Sequence, residues 1–350
     1  MITGFAAAKH FLQELQQGHG DTTVYGVANA SPFFAILQKN EYTVTNFLET
    51  VMEIPRYPEG RGITLEDKPL LDRLFAELQP RVSELTFANL YLFRKAHDYR
   101  LTRVGDALLA QGKGYDGSSY FLPPFGGDIA AATRQLLDEG LTLYGADDDF
   151  LARHLPVEGL EVVPDRNNFD YLHLKEEMAQ LSGKQYHKKK NRVNYFLNRH
   201  RHEVEIFNAG HLAGALALLE EWGRVRTEIV PRGSVQGEVE GGAEALRLHG
   251  ELGLSGVVVL VEGVVRGFAL GERLNRETAV CHFEKGDLFM EGLYQLLDRE
   301  FSRLLFTDCK YLNREQDLGE ESLRQAKLSY HPVELLAKYR VRNKVKTKTS

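Results

Sequence analysis

The chain of 350 residues is poor in several features, and each shortage closes off a class of protein. It has two cysteines, Cys281 and Cys309, too few for a disulfide framework or a cysteine-rich metal site. No window comes near the roughly 18 consecutive apolar residues of a membrane-spanning helix, so no span is expected. The first residues lack a basic start, and their apolar run is broken by Lys9, His10 and Gln13. No secretory leader is expected, and a reducing cytoplasm is the expected location. There is no G-x-S-x-G nucleophile elbow and no Walker phosphate loop. Cys281 and His282 are neighbours, but adjacent strand residues point to opposite faces, which argues against a Cys–His nucleophile pair.

What is present is the composition of a globular protein, 43% apolar and 26% charged, with length enough for two domains. The net charge of −6 is unevenly spread. Ser182–His202 holds seven Lys/Arg, three His and no acid; Lys338–Ser350 holds six Lys/Arg and no acid. These strips contain 13 of the 43 basic residues and none of the 49 acids, which leaves the remainder at −19. An acidic body with two basic strips can grip a polyanion locally.

In chain order, residues 1–62 form an extension with one helical pattern, Phe5–Leu15, and no assignable chemistry. A first α/β unit is expected over 63–180. Its pattern is a helix at LEDKPLLDRLFAELQP, strands at 84–93, 99–112 and 118–127, a helix from Asp128, and strands at LTLYGA, LEVVPD and FDYLHL. A long basic helix then runs through KEEMAQLSGKQYHKKKNRVNYFLNRHR, with 181–202 as linker between units. Tyr186, Val193, Phe196 and Leu197 fit its buried stripe, with Lys188, Lys189, Arg192 and Arg199 outward. A second unit over 203–340 repeats the plan: a helix at 211–226, a Gly-rich surface excursion at 227–253, and strands at 255–261, 264–274 and 278–284. A helix at 288–305 and a strand leading to Tyr311 follow. Residues 341–350 form a basic tail.

Three clusters can carry chemistry. The run Asn313, Arg314, Glu315, Gln316, Asp317 lies between a strand and a helix, where open α/β sheets place ligands. Asp317 and Glu320 have the D-x-x-E spacing of a helix start, and Leu323, Ala326, Lys327 and Tyr330 share one helical face. Arg314 can hold a carboxylate or phosphate in a fork, Glu315 or Asp317 a free amino group, and Lys327 the charge on an acyl oxygen. The alternative is an internal Arg–carboxylate network. The second cluster is His282 with Glu284, placed on one side by strand alternation. Either can orient or deprotonate an attacking hydroxyl or amine, or the two can be a satisfied pair at a sheet end. One His and one Glu without further ligands are a weak metal signal. The third is the run Lys188, Lys189, Lys190, Asn191, Arg192, a phosphate grip or a solvated helix face, with Tyr186 and His187 placed to stack on an unpaired base.

The set GKQYHKKKNRVNYF, HFEKGDLFMEGLYQLLDREF and YLNREQDLGEESLRQAKLSYHP resembles the family of the phosphatidylglycerol lysyltransferase C-terminal domain, over about four fifths of the chain. The resemblance implies two tandem GNAT-like acyltransferase domains with mixed, largely antiparallel sheets. It also implies transfer of an aminoacyl group from aminoacyl-tRNA to a lipid, peptide or amine acceptor. His282, Glu284, Glu315 and Lys327 would then be catalytic. Asn313, Arg314, Asp317 and Tyr330 would hold substrate, and Lys188, Lys189, Lys190 and Arg192 would hold tRNA, with no metal. Nothing here corresponds to the membrane flippase domain of the full lysyltransferase. The alternatives are a CoA-dependent N-acyltransferase or a non-catalytic ligand-binding protein on the same fold. Against CoA, the position of its Gly-rich pyrophosphate loop reads EKGDLFMEG, where Gly286 and Gly292 stand too far apart.

Overall fold

The computed structural model describes residues 51–344 except 52, 115 and 229–231. The expected helix at Phe5–Leu15 and the last six residues of the tail lie outside them. Fourteen strands are described: β1 (Arg61–Gly62), β2 (Arg100–Val104), β3 (Ala107–Lys113), β4 (Ser119–Phe121), β5 (Thr142–Ala146), β6 (Leu160–Pro164), β7 (Asp170–Leu174), β8 (His202–Ile206), β9 (Ser255–Val261), β10 (Val264–Arg273), β11 (Thr278–Gly286), β12 (Tyr311–Asn313), β13 (Glu334–Leu336) and β14 (Tyr339–Asn343). The helices are α1 (Lys68–Leu78), α2 (Phe87–Leu92), α3 (Ile129–Asp138), α4 (Asp148–His154), α5 (Lys175–Gln180), α6 (His187–Arg199), α7 (Leu212–Thr227), α8 (Arg232–Arg247), α9 (His249–Leu252), α10 (Leu293–Leu304) and α11 (Glu321–Leu328).

The strands form two seven-stranded sheets, ordered β1-β2-β3-β4-β5-β14-β6 and β8-β9-β10-β11-β12-β7-β13. The orders match strand for strand. Each has one parallel pair at its centre, β4–β5 and β11–β12, and is otherwise antiparallel where the pairing is resolved. The last strand of each half is exchanged: β7 completes the second sheet and β14 the first. The sequence pattern places β7 in the first unit, because hydrophobic periodicity identifies a strand but not its partner. The two compact units are therefore interleaved along the chain. One takes the residues up to Leu78, His97–Val163 and the stretch from Tyr339; the other takes Gln79–Ala96 and Pro164–Lys338.

Four further elements differ from expectation. Residues 84–93 are not a strand: Thr86 Oγ1 accepts the Asn89 amide and starts α2. The Gly-rich stretch is not a surface excursion but holds α8 and α9, with α8 packed on α2 and α7. The long basic helix is broken after α5, where Leu181 takes a left-handed conformation and closes the helix end. The last helix begins at Glu321 rather than at Asp317, whose carboxylate instead accepts the Gly319 amide.

The second unit's core is a Leu/Val/Phe cluster between the sheet and α6 and α10. Leu293, Leu296, Leu297 and Phe301 of α10 face Val257, Val259 and Ala269, and Val193 and Phe196 of α6 join them. In the first unit, Ala132, Leu136 and Leu137 of α3 meet Phe121, Leu143 and Val341. These buried stripes at helical spacing fix the sheets that carry the site.

Candidate active site

The parallel pair of the second sheet is short. β11 and β12 are matched only from Thr278↔Tyr311 to Val280↔Asn313. Beyond it β11 runs on to Gly286, while the chain after β12 turns away through Arg314 and Glu315. The result is a wedge between two strand ends. Glu315 holds φ at +55°, a left-handed conformation uncommon for a non-glycine residue and seen where local structure is over-determined.

The wedge is shaped by a bulge. Along β10, Leu270 pairs with Phe283 and Gly271 with Cys281, so His282 is skipped. A Cβ on Gly271 would lie 2.0 Å from the Val280 carbonyl, so only glycine fits opposite the bulge. The extra residue breaks the alternation and corrects the expectation that His282 and Glu284 share a side. His282 reaches Glu315, whose other neighbour is Asn89 of α2; Glu284 reaches Arg314 and, through it, Asp298 of α10.

The His282 ring is clamped. Nδ1 lies 2.7 Å from Glu315 Oε1, and Nε2 lies 2.9 Å from Glu272 Oε1. Burial alone would lower its pKa, but the bonds to the two carboxylates outweigh burial and hold it at about 10. Both ring nitrogens are thus engaged by carboxylates, which favours the imidazolium at neutral pH. Asp317 is likewise committed. It accepts from Arg166 (2.8 Å), Arg324 (2.8 Å) and the Tyr171 hydroxyl (2.5 Å), and these bonds override burial and keep it well below the usual carboxylate range. Asn313 donates to Asp170 at 2.9 Å and accepts the Glu315 amide at 2.7 Å. Asp170 is itself held by the fully buried Lys338. Lys327 Nζ donates to the carbonyls of Arg314 and Gln316, so it braces the turn. Burial, and then the Arg314 charge, pull its pKa down to about 8.

The other wall of the wedge is different. Arg314 Nη2 donates to Glu284 at 3.0 Å and lies 2.7 Å from Asp298. Burial, and then Asp298, push Glu284 up to about 8. Burial, and then the Asp298 charge, raise the Tyr330 hydroxyl well above its usual value. Lys189 is turned inward, unlike its neighbours in the run: its Nζ lies 4.0 Å from the Tyr330 ring centre, and burial lowers it to about 8. Burial, and then the Arg314 charge, keep His173 neutral, at about 3. Five buried atoms on this wall make no well-aligned hydrogen bond: Glu284 Oε1, Arg314 Nη1, the Tyr330 hydroxyl and both His173 ring nitrogens; Glu284 and Tyr330 only approach the Asp298 carboxyl, and His173 the Tyr330 backbone. Among the described residues only three other buried side-chain atoms are orphaned, so the shortfall is concentrated here. Buried polar atoms without partners are costly, and a cluster of them marks a place that a polar guest completes.

Sequence reasoning missed Asp298, Glu272 and His173. Asp298 and Glu272 read as ordinary helix and strand charges, and only the fold brings them to the wedge. Lys188, Lys190 and Arg192 are exposed on α6. Tyr186 is core: it is buried and its hydroxyl donates to Glu177, so it is no stacking platform. Among the described residues no group of three or more His, Cys, Asp or Glu could hold a metal ion, and no helix is long and apolar enough to cross a membrane. A groove of about 840 Å³ in the same unit lies at the other end of β11 and β12, beside Thr278 and Tyr311, and shares no residue with the wedge.

Two sheets of matching order, each with a central parallel pair, make this a tandem GNAT-fold protein. Two solved structures share that architecture: FemX (10% identity, 81% of this chain, 96% of that one, TM-score 0.51) and L-PGS from Bacillus licheniformis (14%, 83% and 95%, 0.57). The model of the phosphatidylglycerol lysyltransferase C-terminal family matches residues 75–342, and the chain belongs to that family. A conserved protein of unknown function from Bacteroides thetaiotaomicron is 30% identical over 81% of this chain and 98% of its own, with a TM-score of 0.74. No curated protein sequence matches.

Proposed function

We propose that the second unit transfers an aminoacyl group from aminoacyl-tRNA to an amine or hydroxyl acceptor. The observation that carries this reading is the wall of under-satisfied polar atoms on Glu284, Arg314, Tyr330 and His173, set at the strand wedge of a GNAT sheet. Membership of the lysyltransferase family and the shared fold of L-PGS and FemX support it.

In this reading the Asp298 carboxylate, held at the wedge by Arg314, receives the amino group of the aminoacyl ester, with Glu284 beside it. Arg314 Nη1 and the Tyr330 hydroxyl donate to the acyl oxygen as it gains charge. The acceptor's nitrogen or oxygen bonds to the acyl carbon, and the bond to the terminal ribose oxygen breaks. The acceptor's proton passes to that leaving oxygen, and Glu284, titrating near pH 8, is suited to relay it. His282, Lys327, Asn313 and Asp317 hold the turn that presents Arg314. Lys188, Lys190 and Arg192 meet the RNA phosphates.

A CoA donor is disfavoured by the loop after β11. The Asp287 carboxylate accepts the Phe289 amide at 3.0 Å, so that loop amide is not free to donate to a diphosphate.

The test is transfer of radiolabelled amino acids from charged tRNAs to a panel of lipid vesicles, peptides and amines. Glu284→Gln and Tyr330→Phe are expected to fold normally and lose about 10²-fold or more in rate. Absence of transfer from every charged tRNA, together with thermal protection by CoA, would overturn the reading.

A further inference from the structure

Two large aromatic or apolar features of the second unit are unused by the chemistry above, and they adjoin. The loop between β11 and α10 carries Leu288 and Phe289 at 40% and 83% exposure, Phe289 being the most exposed large hydrophobic among the described residues. The loop is fixed against α6. Gly292 takes φ +92°, and a Cβ there would stand 2.1 Å from the Arg192 carbonyl. Glu291 lies 3.8 Å from the Arg192 guanidinium. From that junction one stripe of α6 continues outward as Arg192, Tyr195 and Arg199, at i, i+3 and i+7. Tyr195 is 38% exposed, and the Arg199 guanidinium lies 3.6 Å from its ring centre. The whole of α6 is free of acids and also exposes Lys188 and Lys190.

We propose that Phe289 and Tyr195, spaced along the basic stripe of α6, form a stacking track for the unpaired 3′ end of an RNA. Aromatic faces alternating with cations are how single-stranded nucleic acid is held without sequence readout: each ring takes a base, and each cation a phosphate. The flanking acids do not oppose it, because Asp287 is paired with Arg266 and Glu291 meets Arg192. An extended apolar patch would suit a lipid bilayer, but here the Arg199 guanidinium lies over the Tyr195 ring and the Arg192 guanidinium lies beside the loop that carries Phe289. The identity of the RNA rests on the aminoacyl-tRNA reading; the track itself rests on the side chains. The same helix turns Lys189 into the wedge, so a strand lying on this stripe is directed along the element that lines the pocket.

The test uses the full chain and two probes at several salt concentrations, a short single-stranded RNA and a blunt RNA hairpin of equal length. Phe289→Ala and Tyr195→Ala are each expected to weaken the single strand by about 5- to 100-fold and leave the hairpin unchanged. The combined Lys188, Lys190 and Arg192 substitution should weaken both and flatten the salt dependence. Trp222 is the sole tryptophan, so Phe289→Trp adds one exposed reporter, whose emission the single strand should quench. Unchanged single-strand affinity in both alanine variants overturns the proposal. So does equal loss for the hairpin, or loss of binding only to anionic phosphatidylglycerol vesicles. Absent aminoacyl transfer with the stacking intact would overturn the reaction and leave the track standing.

Discussion

The two sheets share one strand order, and each parts after a short parallel pair, yet the two gaps are filled differently. In the first unit β4 is three residues long and stops at Phe121, because Leu122-Pro123-Pro124 cannot continue a ladder. Leu122 and Phe125 instead donate to Ala110 and Leu108, sealing the strand end with apolar residues. The neighbouring space is filled by Tyr99, Tyr120 and Tyr144, packed edge-on or tilted with ring centres 5.1–6.4 Å apart. In the second unit β11 is nine residues long and outruns its partner. Arg314, Glu284, Asp298 and Tyr330 fill that gap with polar atoms that do not all find partners. Equal topology with a different filling of the gap separates an apolar scaffold from a polar site. Function lies in the site rather than in the fold.

The sharpest way to break this comparison is at Arg314. Replacing it by methionine leaves Glu284 and Asp298 buried together without their cation. The expected loss is about 3–5 kcal/mol of unfolding free energy, read from urea unfolding. Removing the charges as a set, with Arg314→Met, Glu284→Leu and Asp298→Leu together, should restore most of that stability while abolishing transfer. If the single and triple variants are equally unstable, the wedge is ordinary core and the contrast between the units fails.

The next effect in size is a pH dependence set by the histidine clamp of the second unit. His282 has its folded pKa raised to about 10, against about 6.5 when unfolded. Folding binds a proton, so this stabilisation is complete below about pH 6.5 and is lost as pH rises through 10. The buried clamp should make the protein lose roughly 2–5 kcal/mol relative to His282→Gln between pH 6.5 and 10. Stability curves of the two proteins that run parallel over that range would show that Glu272 and Glu315 do not hold an imidazolium.

His282 also shows what could and could not be read in the sequence. The strand at 278–284, the turn with Arg314 and the two-unit plan were legible, because they depend on period-2 patterning, local polarity and motif. The bulge was not. Nothing in TAVCHFEKG marks which residue lacks a cross-strand partner; that is set by Gly271 on another strand. Alternation therefore put His282 and Glu284 on one side, and the fold separates them. The same limit hid the exchange of β7 and β14, since periodicity names a strand and not its neighbour. Lys189 was grouped with Lys188 and Lys190 by charge, although helical spacing from the buried Val193 and Phe196 favours its turning inward. Glycines in α8 masked a helix whose packing against α2 and α7 outweighs its low propensity.

The smallest effect should come from the first unit. The Tyr120 hydroxyl lies 3.3 Å from that of Tyr99, a contact between neutral groups at the edge of hydrogen-bond range. Tyr120→Phe keeps the ring and its packing against Tyr144 and removes the polar contact to Tyr99. A neutral hydrogen bond contributes about 0.5–1.5 kcal/mol net, and a long one belongs at the low end. Stability should therefore fall by less than about 1 kcal/mol, independent of pH between 6 and 9, and aminoacyl transfer should match wild type. A large loss of transfer with stability preserved would give the first unit's tyrosines a place in substrate binding. The second unit would then no longer be the sole seat of the chemistry.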